Sequence, residues 1–127
     1  VESGLVHDGW IRPDPQTLRT QHERVFAVGD VVEIPMANGM PLPKAGVFAE
    51  AQARVAASWI LHDLGLGQPV TFDGYGYCFI EVGGQKAAKV VGRFLEQPAP
   101  RVEVSEPTHD AWEEKRAFER QRLETWL

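Results

Sequence analysis

An apolar run that ends in Gly-Asp constrains this chain more than any other feature: Val25-Phe26-Ala27-Val28, then Gly29-Asp30. The run is rich in β-branched and aromatic side chains and predicts a buried parallel strand, because a strand covered on both faces reads as continuous apolar sequence. Gly29 then permits close backbone approach at the strand's carboxyl end, where open α/β sheets bind their ligands. Asp30 at that point either accepts hydrogen bonds from ligand hydroxyls or caps a turn.

The next segments have different periods. Pro35, Asn38, Gly39, Pro41 and Pro43 predict a loop between Ile34 and Pro43. From Gly46 to about Leu64, Val47, Phe48, Ala51, Val55, Trp59 and Ile60 recur at three- and four-residue steps, which predicts a well-buried helix. No Ser, Thr, Asp or Asn stands immediately before that apolar run, so the first N–H groups lack a side-chain cap. Such a helix end attracts an anion or a polarised carbonyl, and Lys44 in the turn Pro43-Lys44-Ala45-Gly46 adds positive charge. The alternative is a helix started by Pro43, with water on its free donors and Lys44 an exposed surface charge.

Phe79-Ile80-Glu81-Val82 alternates and predicts a strand; Gly83-Gly84-Gln85 reads as a turn into a second strand near Lys86 to Phe94. Cys78 therefore stands at the start of a hairpin. As the only cysteine it has no disulfide partner within the chain, and by residue type alone it reads as a small buried hydrophobe. After Pro98-Ala99-Pro100, the segment Pro107-Thr108-His109-Asp110 leads into a charged helix running to Leu127, with Thr108 or Asp110 as its cap. Trp112, Leu123, Trp126 and Leu127 fall on one side of it, with Phe118 at the margin. That face reads as docking on the protein's own sheet; terminal tryptophans also suit a membrane interface, which Glu113 and Glu114 disfavour.

The 127 residues, 43% of them hydrophobic, suffice for one modest core. A net charge of −5 without a basic run argues against a nucleic-acid partner. No stretch approaches the ~20 apolar residues that span a bilayer. His7, His22 and His62 are scattered, and none has ligand spacing to another His or Cys, so no metal site is expected. The amino end, Val1-Glu2-Ser3-Gly4-Leu5, is not a signal peptide, and no Gly-x-Gly-x-x-Gly phosphate loop occurs; the expectation is a fragment of a longer protein.

Gly9-Trp10-Ile11, Leu18-x-Thr20, Val25 to Asp30 and Pro43 to Gly46 together resemble the carboxyl-terminal part of FAD-dependent pyridine nucleotide-disulfide oxidoreductases. Within that superfamily the chain is most similar to sulfide:quinone oxidoreductases and to the flavoprotein subunit of flavocytochrome c sulfide dehydrogenase, over nearly its whole length. The resemblance implies an α+β fragment of a two-dinucleotide-domain α/β flavoprotein. Residues 1–66 would complete the FAD-binding domain, and residues 67–127 would form a small domain with a β-hairpin and a terminal amphipathic helix. Gly29 and Asp30 would meet the ribityl chain of FAD. The backbone at Lys44, Ala45 and Gly46 would face the pyrimidine side of the flavin ring, where a helix amino end and a lysine stabilise the negative charge of the reduced form.

Asp73-Gly74-Tyr75-Gly76-Tyr77-Cys78 is similar to the Asp-Gly-Tyr-x-x-Cys segment around a redox cysteine of the sulfide oxidoreductases. By that resemblance Cys78 is catalytic, one end of a disulfide or persulfide bridge that HS⁻ attacks, with two electrons passing to FAD and on to quinone or cytochrome. The fragment alone is expected to be inactive and to hold FAD weakly or not at all. It is expected to self-associate through the exposed edge of strand Val25 to Val28, and to be cytoplasmic or to touch a membrane peripherally through its last helix. The turn departs from the family's frequent Pro-Lys-Thr-Gly by carrying Ala45. A type II NADH:quinone oxidoreductase shares the Gly-Asp strand, but has no use for Cys78 and has a glutamine-rich helix start in place of Ala49-Glu50-Ala51-Gln52. The non-enzymatic alternative is a module for dimerisation or partner binding.

Overall fold

Strand-period stretches come in groups, each followed by a helix, and the described residues assemble into an α+β fold of two small sheets and two α-helices. A computed structural model describes residues 4–126, so the readings of Val1-Glu2-Ser3 and of Leu127 lie outside the described residues. The chain divides into two compact units: residues up to Gly76 with Arg93–Arg101, and Tyr77–Gly92 with the residues from Val102 on.

The first unit opens with the antiparallel pair β1 (Val6–His7) and β2 (Trp10–Ile11), in which Val6 faces Ile11 and His7 faces Trp10. The strand expected at Val25 to Val28 does not form. Phe26 makes one antiparallel bridge to Arg19, the Thr20 N–H donates to the Val25 carbonyl at 2.9 Å, and the Ala27 N–H to that of Leu18 at 3.1 Å. Apolar composition is not enough for a strand, which needs a ladder of neighbours. The segment alongside, Leu18 to Thr20, is too short to supply one. A single parallel bridge does occur, between Ile11 and Val32, outside the segment expected to be a parallel strand.

Helix α1 spans Gly46–Asp63, close to the expected range. Its buried residues are Phe48, Gln52, Val55 and Ala56, whereas Ile60, expected in the core, is 46% exposed. The carboxyl-terminal turns are instead held by polar contacts: Arg19 meets both Asp63 carboxylate oxygens at 2.6 and 2.7 Å, and Val70 donates its N–H to the Ser58 hydroxyl at 3.1 Å. The core gathers Leu18, Ile34, Leu42, Phe48, Phe72 and Phe94. The Phe48 ring stands edge-on to Phe72 at 6.3 Å and to Phe94 at 5.0 Å, an arrangement that aromatic quadrupoles favour.

The second unit holds all but the end residues Tyr75, Gly76, Arg93 and Arg101 of the sheet β3 (Tyr75–Gly83), β4 (Lys86–Arg93) and β5 (Arg101–Val104), whose strands run in that order. Gly84 and Gln85 both take positive φ, 59° and 57°, as the two-residue turn of a tight hairpin requires. Helix α2, His109–Trp126, starts at Thr108, whose hydroxyl accepts the Ala111 N–H at 3.1 Å; Thr108 and not Asp110 is the cap. Tyr77 and Phe79, two residues apart, share one face of β3, and Phe118 packs edge-on against Tyr77 at 5.9 Å. Lys115 pairs with Glu81 at 2.6 Å, and Lys89 with Glu114. The helix thus docks on its own sheet through Phe118, the marginal residue of the apolar side, while Leu123 and Trp126 stay exposed. Among the described residues no helix is long and apolar enough to cross a membrane.

Candidate functional site

Two elements of the first unit meet at the predicted Gly-Asp motif. A 3₁₀ turn, Gly29–Val31, packs on α1. Gly29 has φ +75°, where a side chain would be strained, and its N–H donates to the Gln52 side-chain oxygen at 2.7 Å. The Val32 N–H closes the turn onto the Gly29 carbonyl at 3.1 Å. Asp30, between these ties, is exposed, and its carboxylate makes no hydrogen bond or ion pair with any described residue. Of the two roles open to Asp30, capping the turn is therefore not the one it performs.

The amino end of α1 lies against the same turn. Ala45 occupies the cap position in extended conformation, and its methyl group caps nothing. Its carbonyl accepts the N–H groups of Phe48 at 3.0 Å and Ala49 at 3.2 Å; those of Gly46 and Val47 have no acceptor four residues back within the helix. Lys44 is neither a free cation nor a plain surface charge. Its ammonium donates to the Val32 carbonyl and sits 4.2 Å from the centroid of the Trp10 ring, a cation–π distance. The charge stays within the site, but the side chain is tied to the turn.

Gly29, Asp30, Lys44 and Ala45 line one cleft, together with Phe48 and Gln52 among others. Its enclosed volume, about 10 Å³, is the room of about one water, so any larger ligand would lie across the mouth. Chemically the cleft offers a carboxylate acceptor for hydroxyls beside the positive end of α1; Gly46, the remaining residue predicted to meet the flavin, and Val47, whose N–H groups have no helical acceptor, are not among its lining residues.

Cys78 belongs to the second unit, on β3. Strand alternation puts it on the face opposite Tyr77 and Phe79, in line with the exposed Ile80 and Val82. The thiol is free and half-buried, and burial pushes its pKa up, so the thiol outweighs the thiolate at neutral pH. Among the described residues no group of three or more His, Cys, Asp or Glu is placed to hold a metal ion.

Two residues of the site escaped the sequence reading. Trp10, under the Lys44 ammonium, enters that reading only within the Gly9-Trp10-Ile11 motif, with no part in the site. Gln52 carried a signal: a polar residue four positions after Phe48 and three before Val55, it interrupts the buried stripe of α1. Compared with known proteins, the sequence matches no family model, and no curated protein matches it significantly.

Proposed function

We propose that this chain supplies the ribityl and pyrimidine side of an FAD pocket in a flavoprotein oxidoreductase that oxidises sulfide or a related sulfur compound, with quinone or cytochrome as the acceptor. The observation that carries this reading is the Asp30 carboxylate, without a partner among the described residues, at a turn packed against an uncapped helix end. Those groups fit a flavin. Asp30 would accept the ribityl hydroxyls, and the Gly46 and Val47 N–H groups would donate to the pyrimidine carbonyl. The helix end and the nearby Lys44 charge would favour electron density there. When bound, the flavin supplies a two-electron acceptor.

Cys78 would do the sulfur chemistry. If it is bridged to a thiol outside this sequence, HS⁻ attack on its sulfur breaks the S–S bond, forms Cys78–S–SH and expels the other sulfur as a thiolate. A raised thiol pKa makes Cys78 the poorer leaving group and so favours that direction.

The test is NMR of the ¹⁵N-labelled chain titrated with riboflavin. The amides of Gly29, Asp30, Gly46 and Val47 should shift, and Asp30→Asn should weaken binding about tenfold, the worth of one charge-assisted hydrogen bond. Flavin retention left unchanged by Asp30→Asn in a flavin-loaded enzyme carrying this chain refutes the reading. For the sulfur step, Cys78→Ser in a flavin-loaded enzyme carrying this chain should abolish sulfide-dependent flavin bleaching.

A further inference from the structure

We infer that Gln52 is a positioning residue: by accepting the Gly29 N–H it holds the Gly29–Val31 turn on α1, so that Asp30, free of partners among the described residues, is presented at the helix's amino end. The inference rests on the flavin reading for what Asp30 contacts, and on the geometry alone for what Gln52 does.

Gln52 is 2% exposed and is the one buried polar residue found among the described residues. An amide placed in an apolar helix face costs desolvation unless it is bonded, and an apolar side chain would pack there at no such cost. Its side-chain oxygen instead takes the Gly29 N–H at 2.7 Å, a donor in a residue whose φ of +75° leaves a short turn as its setting. The far end of the turn is held separately, by the Val32 N–H on the Gly29 carbonyl and by the Lys44 ammonium on the Val32 carbonyl. The turn is thus tied at both ends by groups other than Asp30. On a loose turn the carboxylate would sample many positions and lose that freedom on binding; on a tied turn it has only its own side-chain rotations to lose.

The test uses Gln52→Met, which keeps the side-chain length and removes the acceptor, and Gln52→Glu, which keeps an acceptor oxygen. Exchange of the Gly29 amide, read by NMR, should be about tenfold faster in Gln52→Met than in the wild-type chain and close to wild type in Gln52→Glu. Binding is compared between riboflavin and lumiflavin, which lacks the ribityl hydroxyls. The wild-type chain should prefer riboflavin. Gln52→Met should lose that preference with lumiflavin binding unchanged, Gln52→Glu should retain it, and Asp30→Asn should lose it without altering Gly29 exchange. A Gln52 that merely supports the fold would weaken both flavins alike, which overturns the proposal. So does an unchanged Gly29 exchange rate in Gln52→Met. A flavin-loaded enzyme carrying this chain that retains its flavin unchanged on Asp30→Asn refutes the flavin reading instead, and Gly29 exchange still decides whether Gln52 holds the turn.

Discussion

Gly76 lies under the Phe48 ring, and replacing it by alanine is the sharpest probe of the first unit's core. A Cβ built at Gly76 would stand 2.3 Å from Phe48 Cε1, 2.7 Å from Cζ and 2.9 Å from Cδ1. Ordinary contact begins near 3.4 Å, so the ring would have to retreat by about 1 Å. It has nowhere to go: Phe48 is 3% exposed and flanked edge-on by Phe72 and Phe94. Overpacking of this kind costs about 1–3 kcal/mol, and three clashing ring atoms put Gly76→Ala near the upper end. Gly76 has no positive φ, so alanine recovers about 0.4–1 kcal/mol by restricting the unfolded chain. The net loss is about 2 kcal/mol. With an unfolding entropy of about 2.1 cal/mol/K per residue, that lowers Tm by about 7 °C for a chain of this size. Thermal melts followed by circular dichroism measure it. Phe48→Leu removes the clashing ring atoms, so the double variant should be more stable than the sum of the two single losses by about 1 kcal/mol or more. A Gly76→Ala protein melting within about 1 °C of wild type, or a strictly additive double variant, would refute the steric argument.

Three further outcomes are expected. Burial alone would raise the Asp14 carboxyl, but the Thr17 hydroxyl and the N–H groups of Thr17 and Gln16, at 2.8, 2.8 and 3.1 Å, hold it below its usual value. A lowered folded-state pKa adds stability above the unfolded value that is lost as pH falls through the folded one, so Asp14→Asn should flatten the acid limb of stability below about pH 4, read by urea titration at each pH. Cys78 should react with iodoacetamide more slowly than free cysteine at pH 8 and accelerate above pH 9; a rate equal to free cysteine at pH 8 contradicts the burial argument. Thr108→Ala should cost about 1 kcal/mol through loss of the α2 cap, while Thr108→Ser should cost far less, both measured as urea midpoints.

How far the sequence reached depends on the range of the interactions involved. The span of α1, its missing cap, the hairpin around Gly84 and Gln85, and the start of α2 all follow from residues within a few positions of one another. The strand at Val25 to Val28 failed because pairing is a property of the neighbour, and the neighbour here is the short Leu18 to Thr20 segment. The helix stripe was misjudged at Ile60 for a related reason: periodicity names the apolar face but not where its cover ends.

At the candidate site the same division holds. Residue types alone set the ingredients: a glycine able to take positive φ, an aspartate beside it, a lysine before an uncapped helix. Tertiary structure decided their employment. It set the Lys44 ammonium on the Val32 carbonyl and the Trp10 ring, enlisted Gln52 to hold Gly29, and left Asp30 without a partner among the described residues. Which donor meets which acceptor across distant segments depends on distance after folding, and a linear pattern carries no distance.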